Sequence, residues 1–211
     1  MTSDAKFWDG IAEKYARSPI KDIAGYEYTL ERTRSYLTPN DSVLELGCGT
    51  GSTALLLAGS TGQIVASDIS DGMLDVGRRN ARDQGIDNVH FLCGDAHSPA
   101  LDGQQFDVIM AMNVLHLVED LDAVLARAHA LLKPGGVLIS KTPCLSDSNI
   151  FMRGLFRVMI PVMQLFRRAP FVAYLSTPQL ERKIEAAGFK LIERVSIPAK
   201  GGRPYLVARR D

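Results

Sequence analysis

The chain is poor in cysteine, in uncompensated charge and in long apolar runs, and each shortage excludes something. Its 211 residues include three cysteines, Cys48, Cys93 and Cys144, set far apart. An odd and scattered set is not a disulfide framework and suits a reducing compartment. No pair has the spacing of a zinc site; Cys93 and His97 come nearest, and no metal is expected. Lys plus Arg number 24 and Asp plus Glu 24, so the formal net charge is zero. Dedicated nucleic-acid binders carry a basic excess, which is missing here. No stretch approaches the ~20 apolar residues of a membrane span. Residues 1–10 lack a basic region followed by an apolar one, so no secretory signal is expected. The expected location is the cytoplasm.

What remains is ordinary globular composition, 46% hydrophobic and 23% charged, which sets aside disordered, collagenous and coiled-coil chains. The length fits a single domain over 1–211, large enough to be stable without metal or disulfide.

The middle of the chain alternates short apolar runs with helical patterns. Residues 43–47, 63–68, 88–93, 106–112 and 137–141 read as strands. Residues 52–58, 71–84 and 120–132 read as helices, stopped by Gly85 and by Lys133-Pro134-Gly135-Gly136 respectively for the last two. This alternation predicts βαβ units, an α/β class and a parallel sheet buried on both faces. Two helices are expected over 3–17 and 26–37. After Lys141 the alternation stops. Residues 178–187 read as a helix, and 189–197 and 205–209 as strands joined through Gly201-Gly202. A connection that short makes an antiparallel hairpin.

The most informative stretch is Val43-Leu44-Glu45-Leu46-Gly47-Cys48-Gly49-Thr50-Gly51, where the first strand meets the first following helix. In open parallel sheets ligands bind at the carboxyl ends of the strands, and glycines let them approach the backbone. Asp68 closes the second strand, where a carboxylate can accept from ribose hydroxyls. These features point to a nucleoside-containing ligand. The spacing is G-x-G-x-G, not the G-x-G-x-x-G of dinucleotide sites, and Glu45 suits a ligand with a cationic amino acid portion better than a pyrophosphate.

Glu45-Leu46-Gly47-Cys48-Gly49-Thr50-Gly51 resembles the first motif of class I S-adenosylmethionine-dependent methyltransferases. Asp68-Ile69-Ser70-Asp71-Gly72-Met73-Leu74 is similar to the family's second motif. Gly94-Asp95-Ala96, Phe106-Asp107-Val108-Ile109 with Asn113-Val114-Leu115-His116, and Leu132-Lys133-Pro134-Gly135-Gly136 resemble those that follow. The likeness covers roughly residues 5–145 and the closing hairpin. It is nearest to the small-molecule enzymes of ubiquinone and menaquinone biosynthesis. It implies a Rossmann-like, doubly wound sheet of seven strands, mostly parallel with one antiparallel C-terminal strand. It also implies S-adenosyl-L-methionine as cofactor and in-line methyl transfer to a small, fairly apolar acceptor. A non-catalytic module that binds the cofactor or its demethylated product, and a nicotinamide-dependent oxidoreductase, are the alternatives.

The resemblance places Gly47, Cys48, Gly49 and Gly51 along the cofactor's methionine portion and Glu45 at its amino group. It places Asp68 at the ribose, Ile69 and Met73 on the adenine faces, Asp95 and Ala96 at the adenine edge, and Asn113 near the sulfonium. Plainer readings stand beside these: Glu45 as a cap on backbone amides, Asp68 as a helix N-cap, Asp95 as a turn residue, Met73 as core. His116 and Tyr15 are the candidate catalytic groups, with packing the plainer reading for His116. Trp8 and Tyr15 lie seven apart on one face of the first helix; the resemblance implies that residues 1–40 form a helical lid over the cofactor, and an amphipathic element docked on the core is the plainer reading. His90, His97 and His129 carry no pattern.

Residues 146–176 form an apolar insertion, expected to cap the acceptor site. No Asp or Glu occurs from Ser148 to Leu180, while Arg153, Arg157, Arg167 and Arg168 do. Over 148–175 three readings are open: a cap over an apolar acceptor, a peripheral contact with an anionic membrane surface, or an interface or core packing. Pro161 should kink or split the helix. The oligomeric state is not legible.

Overall fold

Apolar runs of five to ten residues assemble here into one seven-stranded sheet, buried on both faces at its centre and exposed at alternate positions along its Phe189–Ser196 edge. The computed structural model describes residues 3–166, 169–196 and 203–211. The strands are β1 (Ser42–Leu46), β2 (Gln63–Asp68), β3 (Val89–Cys93), β4 (Phe106–Met112), β5 (Leu132–Lys141), β6 (Phe189–Ser196) and β7 (Pro204–Arg210), in the order β3-β2-β1-β4-β5-β7-β6. Pairs from β3 through β5 are parallel, and β7 runs antiparallel to both β5 and β6. This is the expected doubly wound sheet with a single reversed strand. The Gly201-Gly202 connection lies outside the described residues.

Side-chain alternation divides the core in two. Leu44, Leu46, Ile109 and Ala111 enter one apolar cluster with helices α5 (Leu121–Leu131) and α7 (Thr177–Ala186). Val43, Val108 and Met110 enter the other, with α2 (Ile23–Arg34), α3 (Ser52–Leu57) and α4 (Asp71–Gln84). The period of two along each strand produces this split. Glu45, between Leu44 and Leu46, therefore faces the α3 side.

Several boundaries move for local reasons. Helix α2 starts three residues before the expected 26 because the Asp22 side chain accepts from the Gly25 amide and caps it there. The Ser70 hydroxyl, accepting from Met73 N at 3.1 Å, caps α4, and Gly85 closes it in the left-handed conformation. Lys133-Pro134-Gly135-Gly136 does not precede β5 but lies inside it, as an irregularity opposite Phe106–Val108. The Asp107 carboxylate fixes that end of the sheet by accepting from Ser42 N at 2.8 Å and from Lys133 Nζ at 2.7 Å. Helix α6 (Ile150–Leu165) runs through Pro161 as one helix and is not split. Arg167 and Arg168 lie outside the described residues.

Helix α1 (Ser3–Ala16) packs on α4. Asp9 Oδ1 accepts from Ser70 Oγ at 2.7 Å and from Gly72 N at 3.0 Å, and a Cβ on Gly72 would lie in tight contact, 3.2 Å, with Asp9 Cα.

Candidate functional site

The carboxyl ends of β1, β2 and β4 carry the motifs. After Leu46 the chain turns back through three left-handed glycines, Gly47, Gly49 and Gly51, with φ of 64°, 56° and 70°. An L side chain in that region is strained. Two of the positions are also sterically closed: a Cβ on Gly47 would lie 2.3 Å from Val114 Cγ2, and one on Gly51 2.6 Å from the Phe91 ring. A Cβ on Gly49 would have room, meeting Tyr15 Cε1 at 3.9 Å. Tyr15 of α1 therefore lies over the turn.

Asp68 braces the turn from one strand away. Its Oδ2 accepts from Gly49 N at 2.8 Å and its Oδ1 from Ser70 N at 2.9 Å. The expected alternative, a helix cap, falls to Ser70 instead. Burial outweighs these two amides and lifts the Asp68 carboxyl above the usual range. Each oxygen keeps lone-pair capacity for a further donor.

Glu45 is 2% exposed. Its carboxyl accepts from the Ala54 amide in the first turn of α3, so the capping reading is realised, yet Oε2 is buried with no partner among the described residues. Burial pushes its pKa up to about 8, with the nearby Asp68 charge acting in the same direction. A buried acid oxygen without a donor costs free energy unless something supplies one.

The remaining predicted residues divide between exposed and packed. Cys48 is buried, its amide donating to Ser67 O at 2.9 Å, and burial raises its thiol pKa, so it meets the turn as backbone. Ile69 is exposed at the β2–α4 corner. Met73 is 2% exposed and packs with Ala12 and Val76 beneath α1, where it is a core side chain. Asp95 is exposed and its Oδ1 accepts from His97 N at 2.9 Å, the turn geometry of the plainer reading; Ala96 is buried. Asn113, at the end of β4, holds a left-handed φ of 59°, unique among the described non-glycine residues, and its amide donates to Lys141 O at 2.7 Å. Strain of this kind gathers at functional sites.

His116 lies in the 3-10 turn Leu115–Leu117 beyond Asn113. Its Nδ1 is buried without a partner among the described residues, and burial, then the Arg203 charge, lower its pKa to about 4. The Tyr15 hydroxyl is held above the usual phenol range, first by burial and then by Asp68. Three contributors were missed from the sequence. Tyr26 has a buried hydroxyl with no partner among the described residues. Lys141 is buried and donates to Thr29 Oγ1 at 2.8 Å and Gly25 O at 3.2 Å. Asp9 latches α1. None belongs to a motif, so no local pattern marks them.

The segment after α6 crosses this end of the sheet. Ala173 N donates to His116 O at 2.7 Å and Phe171 N to Asp4 Oδ2 at 3.2 Å, so it bridges the 3-10 turn and α1. Among the described residues no group of His, Cys, Asp and Glu could hold a metal ion.

The chain is similar to known proteins. The ubiquinone/menaquinone biosynthesis C-methyltransferase UbiE of Shewanella baltica is 40% identical over 116 residues, 53% of this chain and 45% of the relative. The ubiquinone biosynthesis O-methyltransferase of Coxiella burnetii is 26% identical over 160 residues, 74% of this chain and 66% of that one. The match thus spans about half the length of the first of these relatives. A solved structure described as the DhpI–SAH complex superposes with a TM-score of 0.73 at 21% identity, covering 99% of this chain and 95% of that one, which is a likeness of fold. The family model described as a methyltransferase domain matches residues 37–167, well over half of the sequence, and the chain belongs to that family.

Proposed function

We propose that this protein transfers a methyl group from S-adenosyl-L-methionine to a small, fairly apolar acceptor. The observation that carries the reading is Glu45. Its Oε2, buried and without a partner among the described residues, stands behind a left-handed turn braced by Asp68, and the cofactor's cationic amino group is the donor such an oxygen lacks. The residues present fit the cofactor. Gly47, Gly49 and Gly51 offer bare backbone to its methionine portion, Asp68 keeps acceptor capacity for ribose hydroxyls, and Ile69 presents an apolar surface for adenine. Asp95, Ala96 and Asn113 border the same edge. Met73 and Cys48 support the site from within the core.

When bound, the cofactor supplies an electrophilic methyl group. The protein's part is to align an acceptor with it and exclude water. Residues 1–40 act as the lid, with Tyr15 over Gly49. Residues 146–176 form the insertion at the acceptor end, and its stretch 170–175 is the part that crosses His116. His116 is a weak base where it stands, and Tyr15 keeps its proton; both are positioning groups. The neutral charge balance favours a small molecule over nucleic acid, and quinone-type relatives point the same way. A cytoplasmic enzyme is the reading; no described helix is long and apolar enough to cross a membrane.

Calorimetry with S-adenosylmethionine tests this. Asp68→Ala removes two hydrogen bonds to a charged group and is expected to weaken binding roughly 100-fold. Thermal unfolding of the variant checks that the turn survives. Unchanged affinity, or a thermal shift with NAD in place of S-adenosylmethionine, overturns the reading. Tight binding with no methyl transfer to any of a panel of phenolic and quinol acceptors would leave a binding module.

A further inference from the structure

Helix α6 is built the wrong way round for a water-soluble surface. It is 16 residues long and none of them is buried. Eight of the fifteen large hydrophobic side chains exposed among the described residues lie between Ile150 and Phe166. Ile150 is 86% exposed, Phe151 76% and Leu165 79%. On a helical wheel at about 100° per residue, Phe151, Leu155, Val158, Val162 and Leu165 fall on one stripe, and the apolar face spans about 180°. That face points away from the protein. The half-buried row, Met152, Phe156 and Met163, points inward. Apolar patches of this extent mark interaction sites.

Charge selects the occupant. Arg153 and Arg157 are exposed beyond Ile150, at one edge of the wider apolar face, and no acidic residue occurs from Ser148 to Leu180. The acids packed against this segment are already engaged: Asp147 accepts from Thr177 N at 2.8 Å and Asp4 from Phe171 N at 3.2 Å. A second copy of the helix would bring arginine against arginine with no carboxylate to answer, and a helix–helix seam uses a narrower stripe than this one. An anionic bilayer answers both features, covering a wide apolar face and pairing the arginines with headgroups.

We propose that α6 docks the protein on an anionic lipid surface, lying in the interface with its outward stripe among the acyl chains and Arg153 and Arg157 at headgroup level. The proposal stands on α6 alone and does not rest on the methyl-transfer reading. Through Phe171 the docked segment is tied to α1, and through Ala173 to the turn that carries His116.

Co-sedimentation of the full chain with vesicles tests it, comparing phosphatidylcholine alone with phosphatidylcholine containing phosphatidylglycerol. The expected result is binding to the anionic vesicles. It should fall roughly fivefold for each of Arg153→Gln and Arg157→Gln, and roughly tenfold or more for Phe151→Ser combined with Leu155→Ser. All four side chains are exposed, so the variants are expected to keep the parent's thermal midpoint. Failure to bind either vesicle, or equal binding to both, overturns the proposal. So does a dimer in sedimentation velocity that the same apolar substitutions dissolve while vesicles pull down nothing.

Discussion

Glu45 holds a carboxyl group inside an apolar strand, accepting from the Ala54 amide while Oε2 has no partner among the described residues. Free, it titrates near pH 8, so at neutral pH it carries its proton. An ammonium group placed against Oε2 favours the ionised form, and binding then releases that proton. Affinity for S-adenosylmethionine is expected to climb up to tenfold per pH unit between about pH 6 and pH 7.5, below the range where the ligand's own amino group titrates. Glu45→Gln should bind more weakly and lose the slope. Calorimetry across this range, in buffers of different ionisation enthalpy, reads both the slope and the released proton. A wild-type affinity that does not move with pH would place the ligand's cation elsewhere. Asn113 is the other residue that a sequence reading reaches only as a position: its left-handed backbone is visible in the fold alone.

At the scale of elements, the site depends on helix α1 staying on α4. The contact is polar where it matters, with Asp9 accepting from Ser70 Oγ and Gly72 N at the very corner that Asp68 also braces. Asp9→Ala is expected to free α1 and speed hydrogen exchange of its amides roughly tenfold or more, while β1 and β4 amides are unaffected. Uniform exchange across the whole chain would instead mean that Asp9 stabilises the fold globally. The opposite flank is bolted differently: Glu193 of β6 accepts from Arg32 Nε at 2.6 Å and also from Tyr36, tying α2 and the residues after it to the reversed edge of the sheet.

For the molecule as a whole, two titratable groups, the buried Glu45 and the half-buried His116, bend the stability curve in opposite directions. Burial lowers the His116 pKa from 6.5 to about 4, so an unfolded chain takes up the proton first and stability falls as pH drops from 6.5 toward 4. Above 6.5 the ring is neutral in both states and costs nothing further. Burial raises Glu45 from 4.5 to about 8, so the unfolded chain ionises first and stability falls as pH rises from 4.5 toward 8, then levels. The acid limb is worth about 3 kcal/mol. Urea midpoints against pH should show His116→Gln flattening the acid limb and Glu45→Gln the alkaline one. If neither variant changes its limb, these groups are not buried in solution as they are here.

The order of strands and helices was legible because apolar residues recur at two-residue and near-four-residue periods, and because Gly85, Ser70 and the Gly47–Gly51 turn punctuate them through local backbone chemistry. The placing of Asp68 at the end of β2 and of Glu45 beside the turn followed from the same periods. Tertiary structure alone decided which groups these residues meet. Asp68 spends a bond on Gly49 across 19 positions of sequence, Met73 disappears under α1, Tyr26 and Lys141 join the edge from outside any motif, and the apolar stripe of α6 faces outward. Periodicity fixes which side of an element is apolar, since that depends on residues a turn apart. It does not fix what that side faces, since burial and orphaned hydrogen bonds are set by packing between segments far apart in the chain.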